Sequence, residues 1–199
     1  GGPAGLYFSI SMKLLDPSCE VVVLERNKPD DTFGWGVVLS DETLENLQAN
    51  DAASASTIRK NFAYWDDIAL HFKGQRLVST GHGFCGIGRK KLLLILQERA
   101  RALGVDLRYE TEVQSAETYR NDYDVVVAND GLNSKARMLY QDTFKPAIDE
   151  RLCQFVWLGT HQTFKDAFTF IFEETKHGWV WVHAYQFDQN TATFIVECT

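Results

Sequence analysis

The chain has 199 residues, of which 45% are hydrophobic and 24% charged, and it carries a net charge of −7 at pH 7. A chain of this length buries roughly 70% of its unfolded surface on folding, and its composition is typical of a globular protein. The acidic charge argues against a broad nucleic-acid-binding surface, which needs clustered Lys and Arg. The longest apolar stretches, such as residues 92–96, are far too short to span a bilayer.

Four cysteines are scattered through the chain without a Cys-x-x-Cys pair: Cys19, Cys85, Cys153 and Cys198. This spacing favours reduced, structural thiols in a cytoplasmic protein. His82 and Cys85 supply only half of a metal site, and no second pair of ligands completes it. The sequence therefore predicts no metal.

The first 26 residues have the pattern of the second half of a dinucleotide-binding β-α-β unit. Gly2 and Gly5 are the last two glycines of a Gly-x-Gly-x-x-Gly turn, and an apolar helix (residues 6–15) and an apolar strand (residues 20–26) follow. Gly2 would let the backbone approach a pyrophosphate at the helix N-terminus, and Gly5 would let the helix pack closely against its strand. Glu25 lies near the offset of the carboxylate that holds a ribose hydroxyl, and its charge argues against a 2′-phosphate there. Because the first strand and first glycine of the unit are absent, we expect a longer protein.

Local signals predict the elements that follow. Ser40 is a helix N-cap with acidic residues after it, which predicts a helix over residues 41–48. Apolar spacing predicts a second helix over residues 54–68. Residues 72–78 are predicted to form a hairpin that turns at a Lys-Gly pair, and residues 81–88 to form strand edge and loop.

The clearest helix covers residues 89–103 and ends at Gly104, a C′ glycine. Strands are predicted at residues 105–110 and 124–128. Because strands alternate with helices, we predict an α/β fold whose first domain is a doubly wound parallel sheet, with the first strand missing.

The character of the chain changes at about residue 151. Four aromatic-rich strands follow without an intervening helix, at residues 155–158, 168–172, 179–183 and 193–196. We therefore predict a partial nucleotide-binding domain at residues 1–150 and the beginning of an antiparallel β domain at residues 151–199.

Four segments in order resemble the FAD-dependent aromatic hydroxylases, the class A flavoprotein monooxygenases: Gly2-Pro3-Ala4-Gly5-Leu6, Val23-Leu24-Glu25-Arg26, Gly88-Arg89-Lys90-Lys91-Leu92, and Ala128 to Arg137 with its Asp-Gly pair, Ser and Arg. Within this family, residues 34–44 and 194–198 are most similar to the branch of the salicylyl-CoA 5-hydroxylases and anthraniloyl-CoA monooxygenases. They also resemble the tryptophan-derivative hydroxylase of violacein synthesis.

The resemblance implies an enzyme that binds FAD, uses NAD(P)H as co-substrate, and hydroxylates an aromatic substrate with dioxygen through a flavin C4a-hydroperoxide. The branch implies that this substrate is CoA-linked. It implies that residues 151–199 begin a substrate-binding domain, and that residues 1–199 alone are not an active hydroxylase. The candidate cofactor-binding residues are Gly2, Pro3, Ala4, Gly5, Glu25, Arg26, Trp35, Gly36, Arg89, Asp130 and Gly131. No catalytic residue, nicotinamide preference or oligomeric state follows from the sequence.

Several alternatives stay open at this stage. Arg89 resembles the family arginine that reaches the flavin side of FAD, but a solvated residue at a helix start has the same pattern. Trp35 is either a packing residue or the wall of a loop at the flavin. His161, His177 and His183 are structural or substrate-contacting. Another FAD-dependent oxidoreductase acting on a non-aromatic substrate, or a non-catalytic nucleotide-binding module, would also fit the pattern.

Overall fold

A computed structural model describes residues 1–198. Its helices and strands, in chain order, are α1 (Pro3–Leu15), β1 (Val22–Leu24), β2 (Gly36–Ser40), α2 (Asp41–Asn50), α3 (Ala52–Arg59), β3 (Ala63–Trp65), β4 (Ile68–Phe72), β5 (Gln75–Ser79), β6 (Phe84–Gly88), α4 (Arg89–Ala102), β7 (Asp106–Arg108), α5 (Lys135–Leu139), α6 (Gln141–Phe144), β8 (Gln154–Thr160), β9 (Phe168–Thr175), β10 (Gly178–Gln186) and β11 (Ala192–Cys198), with a 3₁₀ turn at Ala116–Tyr119.

The chain divides into two compact units. Unit 1 contains residues 1–31 and 93–150, and unit 2 contains residues 32–92 and 151–199. Residues 32–92 therefore pack with the carboxyl-terminal strands. The domain boundary predicted at residue 150 instead groups them with residues 1–31. Pairing explains the difference, because β4 lies parallel to β9, with Ile68 opposite Phe168.

Unit 1 contains a parallel pair of strands, β1 and β7, in which Val23 lies opposite Leu107. The apolar side of α1 supplies Leu6 and Ile10, both completely buried. Backbone hydrogen bonds continue the pairing past the end of β1, since the Glu25 N–H donates to the Arg108 carbonyl at 2.9 Å. This parallel arrangement agrees with the α/β prediction, although two paired strands do not make the doubly wound sheet.

The strand predicted at residues 124–128 does not form in the described part of the chain. Its valines, Val125, Val126 and Val127, have 72%, 42% and 45% of their surface exposed. A strand is stabilised by ladder hydrogen bonds and cross-strand contacts, and no described segment pairs with this one. The apolar run has the composition of a strand, but no described segment lies beside it to pair with it.

Unit 2 contains two sheets. The larger has six strands in the order β5-β4-β9-β10-β11-β8, all antiparallel except β4 and β9, and the smaller has the order β2-β6-β3. The four aromatic-rich strands and their antiparallel arrangement are as predicted. β6 is the middle strand of the smaller sheet, so the prediction of strand edge and loop for residues 81–88 is wrong for its second half. Gly86 serves close packing in this strand, and not a loop, because a Cβ there would lie 2.1 Å from the Gln186 carbonyl oxygen.

The helix predicted over residues 54–68 ends at Arg59, the last residue of α3. The Asn61 side chain donates to the Thr57 carbonyl at 2.7 Å and occupies one of the acceptors at the helix end. Trp65 then lies in β3, opposite Phe84, and is 4% exposed. The helical spacing of Ile58, Phe62 and Trp65 predicts a single helix face, but pairing of β3 with β6 buries Trp65 instead.

Other local predictions are confirmed. The Ser40 hydroxyl accepts a hydrogen bond from the Thr43 N–H and caps α2. The hairpin of β4 and β5 turns at Lys73 and Gly74, which both have positive φ (49° and 75°), as a type I′ turn requires. α4 is followed by Gly104 with φ of 83°. Among residues 1–198, no helix combines the length and apolar character needed to cross a membrane.

Candidate functional site

The N-terminus of α1 is open to an anion. Gly2 is the N-cap, with extended backbone (φ −72°, ψ 178°), Pro3 occupies the first helical turn, and that turn contains no acidic residue. A Cβ at Gly2 would meet no atom within 4 Å. By contrast, α2 and α3 are capped by their own Ser40 and Asp51. The first-turn N–H groups of α1 and the positive end of its dipole are therefore not covered by a capping side chain.

The Glu25 carboxylate lies against this turn. Its Oε2 is 3.0 Å from the Gly1 nitrogen, and its Oε1 accepts hydrogen bonds from the Asn27 N–H and side-chain amide, both at 2.9 Å. Burial raises the pKa of the Glu25 carboxyl and the hydrogen bond from the Asn27 N–H lowers it, and the pKa is lowered overall. Glu25 is thus an ionised acceptor beside the glycine turn. Arg26, which follows it, is exposed.

A Cβ on Gly1 would lie 2.5 Å from the Cβ of Glu25, so this approach requires a glycine. Gly5 is less constrained, because a Cβ there would lie 3.5 Å from the Cβ of Asn129, an ordinary contact. Close packing of α1 therefore does not by itself require Gly5 among the described residues. The contact does place Asn129, and with it the Asp130-Gly131 pair, beside the amino-terminal turn.

The Asp130-Gly131 pair forms a turn that leads into α5. The Asp130 Oδ2 accepts from the Ala136 N–H at 3.2 Å, and Gly131 has φ of 80°. Burial raises the pKa of Asp130, but hydrogen bonds from the Ser134 hydroxyl and the Ala136 N–H outweigh it, so the pKa is lowered overall. Ser134 also caps α5 by accepting from the Arg137 N–H at 3.0 Å. These contacts give Asp130 a structural role in the turn.

In unit 2, the Gly-Trp-Gly segment (residues 34–36) interlocks with β8. A Cβ on Gly34 would lie 2.4 Å from the Trp157 ring, and a Cβ on Gly159 would lie 2.6 Å from the Trp35 ring. Each tryptophan therefore packs on the glycine of the other segment. Gly34 also has φ of 76°, which favours glycine. Packing against Gly159 buries part of the Trp35 side chain, and 49% of its surface stays exposed.

Gly36 is held to the larger sheet by two hydrogen bonds. Its N–H donates to the Thr193 hydroxyl at 3.0 Å, and its carbonyl accepts from the Tyr185 hydroxyl at 2.8 Å. Burial raises the pKa of Tyr185, which keeps this phenol a neutral donor. The chain separation of Gly36 from both partners explains why sequence reasoning missed them.

Arg89 begins α4 and is tied to the same segment. Its backbone N–H donates to the Trp35 carbonyl at 2.8 Å, and its Nε donates to the Thr32 hydroxyl at 2.9 Å. Thr32 was not singled out from the sequence, and no local signal marks it. Its hydroxyl fixes the direction of the guanidinium, so Arg89 is more than a freely solvated residue at the helix start.

The structure brings together the candidate residues of unit 1 through Glu25 and Asn129, and those of unit 2 through the Trp35 carbonyl. The first group is Gly2, Pro3, Ala4, Gly5, Glu25, Arg26, Asp130 and Gly131, and the second is Trp35, Gly36 and Arg89. Among residues 1–198, no group of three or more His, Cys, Asp or Glu side chains has the arrangement of a metal site.

Comparison with known proteins gives two informative relatives. The chain is 43% identical over 176 residues to a salicyloyl-CoA 5-hydroxylase of a Streptomyces species, which covers 88% of this chain and 34% of that protein. It is 30% identical over 165 residues to the protodeoxyviolaceinate monooxygenase of Chromobacterium violaceum, covering 82% of this chain and 44% of that protein. The chain is homologous to these monooxygenases. No family model matches it.

A solved structure shows the same fold. A probable FAD-dependent monooxygenase of Pseudomonas aeruginosa, PqsL, aligns with a TM-score of 0.71 at 14% identity, over 98% of this chain and 58% of that one. The homologous monooxygenases thus confirm the family resemblance found in the sequence, and the solved structure confirms its mixed α/β fold. The chain spans 34% and 44% of the lengths of the two curated relatives.

Proposed function

We propose that the complete protein is an FAD- and NAD(P)H-dependent monooxygenase that hydroxylates an aromatic substrate. An aryl-CoA thioester, such as salicyloyl- or anthraniloyl-CoA, is the first substrate class to test. The observation that carries this proposal is the 43% identity to a salicyloyl-CoA 5-hydroxylase over 88% of the chain.

The described residues fit the adenosine half of FAD. The uncapped first turn of α1 would receive the pyrophosphate, and the open space at Gly2 would let the backbone approach it. Glu25, ionised and held by Asn27, would accept a hydrogen bond from a ribose hydroxyl. When bound, FAD supplies the oxygen chemistry, and the protein places the groups and excludes water.

The remaining candidate residues are proposed contacts of the cofactor. Asp130 and Gly131 would present their turn to FAD, while Trp35 and Gly36 would border the flavin. Arg89, directed by Thr32, would face the anionic or carbonyl groups on the flavin side. A cation at the start of a helix opposes the helix dipole, so a ligand that uses the charge is a reasonable cause for its position.

The same proposal assigns FAD binding to residues 1–150, with Trp35, Gly36 and Arg89 among them, and the start of the substrate domain to residues 151–199. It also places the protein in the cytoplasm, where a nicotinamide co-substrate is available and free thiols persist. All four cysteines are free.

The decisive experiment is turnover of the complete, FAD-loaded protein under ¹⁸O-labelled dioxygen with NADPH or NADH. We expect one labelled oxygen atom on the ring of salicyloyl- or anthraniloyl-CoA, detected by product mass. Oxidation of NADPH or NADH that yields only peroxide, across a panel of aryl-CoA and free aromatic compounds, would refute the proposal. Hydroxylation of a non-aromatic compound instead would favour the wider oxidoreductase class, and failure to retain flavin would favour a non-catalytic module.

A further inference from the structure

One face of the six-stranded sheet contains a histidine–glutamate pair. His183 lies on β10 and Glu197 on β11, and His183 Nδ1 is 3.6 Å from Glu197 Oε1. Trp181 is opposite Glu197 and His183 is opposite Ile195, so the pair is diagonal on one face. The two side chains are 29% and 23% exposed, which leaves the pair accessible to a ligand.

Aromatic rings hold the imidazole in place. Phe170 lies opposite His183 on β9, and their ring centroids are 5.0 Å apart at an angle of 67°. Phe168 meets the same imidazole edge-on, at 6.4 Å and 90°. Edge contacts of this kind restrict ring rotation and leave a mainly apolar surround. The polar pair is therefore fixed within an aromatic face, a setting suited to an aromatic ligand with one polar substituent.

This face borders the Gly-Trp-Gly segment. Tyr185 and Thr193, which lie opposite each other, bind the backbone of Gly36. His183 precedes Tyr185 by two residues on the same face, which corresponds to roughly 7 Å along a strand. A ligand on His183 would thus lie on the same face as the two residues that bind the segment proposed to border the flavin.

The orientation of the pair decides its chemistry. Nδ1 faces Glu197, so Nε2 is the nitrogen left for a ligand, and the carboxylate lies on the opposite side of the ring from that ligand. The other titratable groups at this place are the Cys153 thiol, 3.9 Å from Glu197 Oε2, and the Tyr185 phenol, which is committed to Gly36. Burial raises the pKa of the Cys153 thiol and of the Tyr185 phenol, so both stay protonated.

We propose that His183 is the proton acceptor for the hydroxyl group of an aromatic substrate and that Glu197 is its positioning residue. This inference rests on the proposed function. The substrate O–H bond breaks, its proton forms a bond to His183 Nε2, and the electron pair stays on the oxygen as phenolate. The ring thereby becomes more electron-rich for hydroxylation, and the imidazolium later returns its proton to solvent or product.

The test uses the complete, FAD-loaded protein and the chromogenic phenol 4-nitrophenol, whose phenolate is yellow. In the wild type, bound 4-nitrophenol should ionise about one pH unit lower than the free probe, the low end for a cation in contact with the new anion. His183→Phe should abolish the shift, and Glu197→Gln should reduce it. His177→Phe, in the exposed turn between β9 and β10, is the matched control and should leave it unchanged.

Turnover of salicyloyl-CoA provides the second readout. His183→Phe should lower the hydroxylation rate by about 10²-fold, the low end for acid–base assistance. Glu197→Gln should lower it by about fivefold at most, as expected for a partly exposed ion pair. Flavin content and thermal unfolding midpoint should match the wild type in every variant.

The two proposals fail separately. If the wild type makes no hydroxylated product from any aromatic compound, the proposed function fails while the ionisation shift still reports on His183. If the wild type shows no shift at millimolar 4-nitrophenol, or if His183→Phe keeps both the shift and the rate, the inference is overturned and the pair is a structural ion pair.

Discussion

Replacement of Gly2 by serine separates the stability of the fold from the affinity for FAD. Gly2 has φ of −72°, which any residue adopts, and a Cβ there meets no atom within 4 Å. A serine at this N-cap would bond to the first-turn N–H groups of α1 and stabilise the helix by a few tenths of a kcal/mol, about the advantage of Ser over Gly. Stability of the FAD-free protein should therefore stay equal or rise slightly.

The same substitution should weaken FAD binding, because the serine oxygen occupies the N–H groups and the space proposed for the pyrophosphate. Loss of one hydrogen bond to a charged group costs about 1.5–3 kcal/mol, which corresponds to about a 10- to 100-fold higher Kd. Gly2→Ala is the matched variant. It also fills the space, but it offers no cap and should cost about 0.5–1 kcal/mol of stability.

FAD titration followed by quenching of flavin fluorescence measures the affinity, and urea unfolding of the FAD-free protein measures the stability. We expect the serine variant to bind FAD more weakly while its stability to urea stays equal or rises slightly. Unchanged FAD affinity in both variants would refute the reasoning, since a phosphate at this turn cannot tolerate either side chain.

Two further substitutions test Glu25 beside the glycine turn and Gly86 in the smaller sheet. Glu25→Ala should raise the Kd for FAD by about 10- to 100-fold through loss of a charged hydrogen bond, while Glu20→Ala, on an exposed residue that precedes the same strand, should not; equal Kd values for the two variants would remove Glu25 from the site. Gly86→Ala should destabilise the protein by several kcal/mol or prevent folding, because its Cβ would lie 2.1 Å from the Gln186 carbonyl oxygen and 2.8 Å from the Trp65 ring. A urea midpoint equal to that of Gly88→Ala, in the same strand, where the nearest atom to a Cβ would be 3.5 Å away, would contradict it.

Elements with local causes could be predicted from the sequence. Ser40 caps α2, Lys73 and Gly74 turn the hairpin, and Gly104 follows α4, because each of these signals acts within a few residues. The amino-terminal turn and Glu25 were recognisable for the same reason. Their spacing is fixed by one helix and one strand, so the order of residues suffices to place them together.

Elements that depend on distant partners could not be predicted. Residues 124–128 have the composition of a strand but lack a described partner, and Trp65 fits a helix face as well as it fits β3. The register of β10 against β11 is what makes His183 and Glu197 neighbours. A shift of one residue would place the two side chains on opposite faces, and nothing local in the sequence sets that register.

The contacts of Trp35 connect the aromatic strands to Arg89. Its ring fills the space left by Gly159 on β8, while its carbonyl oxygen accepts the Arg89 N–H at 2.8 Å. A side chain at position 159 would displace the indole, and the backbone of residue 35 would move with it. The N-terminus of α4 would then lose a hydrogen bond although nothing near it had been changed. If Arg89 contacts the flavin as proposed, a substitution in β8 would alter flavin binding by displacing Arg89. Thr32, which accepts a hydrogen bond from Arg89 Nε independently of Trp35, would limit this displacement.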